Sequence, residues 1–165
     1  MNKIYMVALV LSINLVSCDS KSKDTKTVEN ETQQENESNL NALEDVPFEM
    51  AQNYFVKNTY VDGQLTDPKI TSQAKFDEIF GMAHVMGENG KPTSIDFNKQ
   101  YVIAQIEKES DNQVTLSVAN LEQFDKMIIL SYNKMEGKKQ SFTTRPFLLL
   151  IVDNKYQGTV KVQKN

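Results

Sequence analysis

Between residues 47 and 165 the alternation of apolar and polar positions is mostly of period two. Residues 113–118 read Gln-Val-Thr-Leu-Ser-Val, the pattern of a strand with one face in water. Tyr156, Val160 and Val162 alternate with Gln157, Thr159 and Lys161 in a last strand. Residues 101–106 and 147–152 are apolar on both faces, which predicts two central strands. Residues 127–132 add a further strand, and residues 54–61 open the sheet. Asp111 and Asn112 tolerate positive φ and predict a hairpin turn. One segment changes period: Phe76, Ile79, Phe80 and Ala83 fall on one helical face, with Thr71 or Ser72 to cap its start and Gly81 to end it. Pro146 stands at the mouth of a strand, where a missing N–H does little harm. The expected fold is α+β, an antiparallel or mixed sheet of about six strands with one packed helix.

The first residues follow a different rule. After Lys3, residues 4–16 form a thirteen-residue apolar run broken only by Ser12 and Asn14. Roughly 20 apolar residues are needed to cross a bilayer, so this run matches the h-region of a secretory signal peptide. It ends in Leu15, Val16, Ser17 and Cys18. This ending resembles the bacterial lipobox, whose cysteine becomes the lipidated first residue after cleavage. The resemblance implies residues 1–17 as signal peptide and Cys18 as the lipidation site. It would carry a diacylglycerol thioether and an N-acyl chain such as palmitate. Each buried methylene contributes about 0.8 kcal/mol, so several acyl chains anchor firmly where one does not. The expected place is the bacterial cell envelope, lipid-anchored, at the outer membrane. Cys18 is the only cysteine, so an intrachain disulfide is impossible and lipidation leaves no thiol for catalysis.

Residues 18–46 are read as the lipidated cysteine and a disordered polar tether. From residue 19 to 46 only Val28, Leu40, Ala42, Leu43 and Val46 are apolar, too few to offset the entropy of ordering. Residues 40–43 are the one place there where a short helical turn is conceivable. Such a tether would reach roughly 30 Å. It holds eight acids and three lysines, a charge of −5, whereas residues 47–165 hold fourteen of each sign. The overall −4 therefore resides in the tether. An acidic spacer is repelled by anionic headgroups. Residues 47–165 are read as a single domain.

The inventory narrows the chemistry. A lone His84 excludes sites with two imidazoles, and no G-x-S-x-G elbow accompanies it. A formal net charge of −4 and lysines without interleaved aromatics argue against nucleic acid. Glu107, Glu109 and Asp111 share a spacing of two, so they are either convergent carboxylates for calcium or a solvated hairpin tip. Met82, Met86, Met127 and Met135 are too scattered for a copper site and read as core filler. No catalytic residue, cofactor or resident metal is expected. Two polar loops are expected, residues 86–94 and 133–145. Loops on a rigid sheet are where binding usually resides. Lys91, Lys138, Lys139, Phe142 and Arg145 are therefore the candidate protein-binding residues, with Phe142 alternatively a strand residue facing the core.

Residues 70–152 carry a family resemblance. Ile70, Ser72 and Phe76 enter the helix; Ile95, Asp96 and Phe97 lead into the strand at Tyr101; Pro146 and Phe147 open a later strand. This order resembles the C-terminal domain of PrcB-type protease-complex lipoproteins and, more broadly, small lipoproteins of the Bacteroidetes. Where the PrcB-type family has a Gly-rich loop, this chain has Glu107, Lys108, Glu109, Ser110 and Asp111. The resemblance implies a partner that is a protease, bound or stabilised. The function expected is thus a membrane-anchored, non-enzymatic protein-binding module. The alternatives are a small-ligand carrier using Tyr54, Tyr60, Phe76, Phe80 and Tyr101 in a helix–sheet cleft, and a hydrolase using carboxylates.

Overall fold

The computed structural model describes residues 43–165 apart from 85, 88 and 89. The signal peptide, Cys18 and most of the tether lie outside the described residues. The elements are β1 (Glu44–Asp45), β2 (Phe48–Met50), β3 (Tyr54–Val56), β4 (Lys69–Ile70), α1 (Gln73–Ile79), β5 (Phe80–Met82), β6 (Gln100–Ile106), β7 (Ser110–Phe124), β8 (Met127–Thr144), β9 (Phe147–Asp153) and β10 (Thr159–Lys164). The class is α+β, but ten strands in three sheets replace the expected six in one. The orders are β1-β7-β8-β10, β2-β9-β6-β4 and β3-β5. Every pairing is antiparallel except β10 beside β8, which is parallel.

The doubly apolar runs became the two inner strands of the middle layer, β6 and β9. Successive side chains leave a strand on opposite faces. Tyr101, Ile103, Leu148, Leu150 and Val152 therefore pack toward Leu121, Ile128, Leu130, Tyr132 and Val160 of the first sheet. Val102, Ala104, Leu149 and Ile151 pack toward Ile70, Phe76, Ile79 and Phe80 on the other side. The middle sheet is thus covered on both faces. Val46, placed by the sequence reading at the end of the tether, is buried in the first of these cores.

The helix is shorter than its spacing predicts. The Ser72 side chain accepts the Lys75 N–H at 3.3 Å, as expected of a cap. The helix then stops at Ile79 because Phe80 turns extended and pairs with Val56. Gly81 lies inside β5, where a Cβ would stand 2.4 Å from the Phe55 ring, so glycine makes room for an aromatic from the neighbouring strand. Ala83 is outside the helix altogether.

Three further expectations fail. The hairpin between the two longest strands turns at Asp125 and Lys126, with Asp125 at φ 51°, and not at Asp111 and Asn112. Those two residues lie within β7. Residues 133–144 are not a loop but the second half of the eighteen-residue strand β8. Their polarity reflects exposure on both faces of a two-stranded ladder. Met82, Met86 and Met135 are exposed, so they fill no core.

Candidate functional site

β6–β7 and β8–β9 form one long antiparallel ladder that folds over on itself. In the middle sheet it closes with Ile106 opposite Phe147. One more rung follows, the Glu107 N–H donating to the Pro146 carbonyl at 2.9 Å. The ladder then resumes in the first sheet with Ser110 opposite Thr144. The corner between these rungs brings together three half-buried charged residues, Glu107, Lys134 and Arg145.

On the inner side the Tyr132 hydroxyl donates to Glu107 Oε1 at 2.6 Å. Gln105 Nε2 donates to the same oxygen at 3.1 Å. Lys134 Nζ lies 3.3 Å from Glu107 Oε2 and 2.9 Å from Glu136 Oε1. Burial pushes the Glu107 carboxyl up, but the bonds from Tyr132, Lys134 and Gln105 and the Lys134 charge outweigh it, leaving the group below its ordinary value. Burial, then the Glu107 carboxylate, push the Tyr132 hydroxyl up to about 12. Lys134 is held above its ordinary value by hydrogen bonds to Glu136 and Glu107.

On the outer side Arg145 serves the corner. Its Nη1 bonds the Asp62 carboxylate and lies 3.4 Å from the Glu107 carbonyl. Its Nη2 lies 3.1 Å from Glu109, and the guanidinium sits 5.2 Å from the Tyr60 ring centroid. Arg145 is therefore paired and packed, with a side chain only 15% exposed. Glu107, Glu109 and Asp111 do not converge. Their partners are Lys134, Arg145 and Lys139 respectively, and the described residues contain no group of three metal-binding side chains.

Next to the corner β8 is irregular. Between the pairs Ser110/Thr144 and Asn112/Lys139, one residue of β7 faces four of β8. A further shift lies between Asn112/Lys139 and Val114/Glu136. The extra residues bulge out of the ladder. Phe142 is on the larger bulge, 59% exposed, so it faces neither core. Lys138 and Lys139 are exposed beside it, Lys139 at 2.9 Å from Asp111. Phe142 is thus a large aromatic ring more than half in water, on a bulge three residues beyond the exposed Lys139.

Lys91 is elsewhere. It borders a cleft of about 400 Å³ lined with Tyr54, Met82, His84, Pro92 and Ile95. The cleft wall is fixed by Tyr54, whose hydroxyl donates to the Thr93 carbonyl at 2.6 Å, and by Asn53, which donates to the Lys91 carbonyl at 2.9 Å. The five aromatics of the carrier reading do not share a cavity. Phe76, Phe80 and Tyr101 are buried in the filled cores, and Tyr60 lines a different cleft from Tyr54. The sequence reading missed Asp62, Tyr132 and Lys134. Their only signal was a polar or charged residue next to an apolar strand. Comparison with family models, curated proteins and solved structures finds no match.

Proposed function

We propose that the chain is a non-enzymatic binding module, held in the bacterial envelope by lipid on Cys18, that engages an envelope protein through the bulged end of β8. The observation that carries this reading is Phe142, exposed on a bulge between Lys138, Lys139 and the braced corner. A large aromatic in this setting gains area on binding at small entropic cost, because the strand beneath it is already ordered. Lys138 and Lys139 favour an acidic rim on the partner. Arg145 supports the corner and is not a contact residue in this reading. The resemblance to PrcB-type lipoproteins makes an envelope protease the first partner to look for. A small-ligand carrier would use the cleft at Tyr54 and Lys91 instead.

The test has two parts. Cys18→Ala should leave the domain folded and release the chain from washed membranes; retention of that variant removes the anchor from the account. Chemical cross-linking in the native envelope should then give one stoichiometric adduct with the unaltered chain, lost with Phe142→Ala. An adduct pattern that Phe142→Ala leaves unchanged removes the binding surface.

A further inference from the structure

The two outer edges of the long hairpin are treated differently, and the difference points to a partner. β10 covers β8 over residues 127–132. Beyond that, the β8 edge carries Lys134, Glu136, Lys138 and Lys139 and is broken by bulges. Charge and irregularity are the usual protection of a strand edge against pairing with another chain.

Over residues 112–118 the β7 edge carries neither. Among the described residues it is paired only at its far end, where Glu44 and Asp45 of β1 face Gln123 and Glu122. From residue 110 to 118 it runs without an extra residue of its own, because the shifts opposite this stretch come from β8. Residues 112–121 contain no charge and no proline. Side chains alternate along it, Gln113, Thr115 and Ser117 exposed, Val114, Leu116 and Val118 half-buried. Leu116 and Val118 rest on the core between the sheets.

The geometry points to a second copy of this chain on that edge, β7 against β7 in antiparallel pairing about a two-fold axis near Thr115. Such an axis sets Gln113 opposite Ser117, Val114 opposite Leu116 and Asn112 opposite Val118. One face then joins hydrogen-bonding side chains, and the other continues the half-buried apolar row from copy to copy. Antiparallel self-pairing normally risks bringing like charges together; here there are none to oppose. Seven residues at about 3.3 Å each give roughly 23 Å of shared edge. β1 runs from Gln123 toward Glu122, which puts Leu43 at the hairpin-turn end of β7, away from residues 112–118. The result is one sheet continuous through both copies. This surface is separate from the Phe142 bulge, so it does not rest on the binding proposal.

The test uses the full chain with Cys18→Ala, which removes the only thiol, in density-matched non-ionic detergent. Sedimentation equilibrium should give twice the mass of one chain. Thr115→Lys puts like charges opposite each other under the axis, and Ser117→Lys loads the same edge. Each should weaken association about tenfold or more, with a thermal midpoint equal to the unaltered chain's once both are diluted to monomer. Thr115→Cys should give a disulfide-linked dimer on oxidation, because facing residues of an antiparallel pair have Cα atoms about 4.5–5.5 Å apart. Lys161→Cys on β10 should not. A monomeric chain, or a dimer that both lysine variants leave intact, overturns the proposal.

Discussion

Two tyrosines of one core behave oppositely. Tyr132 donates a hydrogen bond to a carboxylate, whereas the Tyr101 hydroxyl is buried without a hydrogen-bond partner among the described residues. An unsatisfied buried hydroxyl costs about 1–3 kcal/mol. Tyr101→Phe should therefore keep or raise stability in urea unfolding, while Tyr132→Phe lowers it by about 1–3 kcal/mol by removing one of the three groups bonded to Glu107. Glu107 also sets a pH dependence. Its carboxyl lies below its ordinary value in the fold, so the stability it lends is present above the unfolded carboxyl's titration and is lost as pH falls through the folded value. Glu107→Gln should flatten part of the acid limb of a stability–pH curve; an unchanged limb would remove the network from the account. None of this was legible in the sequence. Glu107 read as one of three like charges in a row, and the Tyr132, Lys134 and Arg145 that neutralise the site come from positions 25 or more residues away.

At the scale of elements, burial periodicity was legible where one pattern ruled the whole segment. The double-faced runs became β6 and β9, and the clean alternation at 113–118 became the middle of β7. The helix end was not, because Phe80 satisfies a helical stripe and a strand pairing equally well, and the β3 ladder decided it. The bulged half of β8 was not, because a ladder with both faces in water has the composition of a loop. Phe80 and Phe142 test this division. Phe80 is buried, packed 4.9 Å from the Phe76 ring centroid. Phe80→Ala should cost about 3–5 kcal/mol through lost transfer energy and a cavity. Phe142→Ala should stay within about 0.5 kcal/mol of the unaltered chain. Urea unfolding compares them directly, and equal costs would mean that Phe142 is structural.

For the whole molecule, the tether's length can be set by stability. Val46 is buried between the sheets and Glu44 and Asp45 are paired with β7. Deleting residues 19–42 should leave the thermal midpoint unchanged. Extending the deletion through residue 46 should cost at least the burial of one valine, about 1.5–3 kcal/mol. In the proposed function the acidic segment would carry the domain clear of a lipid surface, and the bulged end of β8 would be its binding end. The most direct test of that claim is a photo-reactive amino acid at position 142 in the envelope-anchored chain, compared with the same group at Lys161 on β10. The account predicts one discrete cross-linked protein from position 142 and none in common from position 161. The same products from both positions, or none from 142, would contradict it.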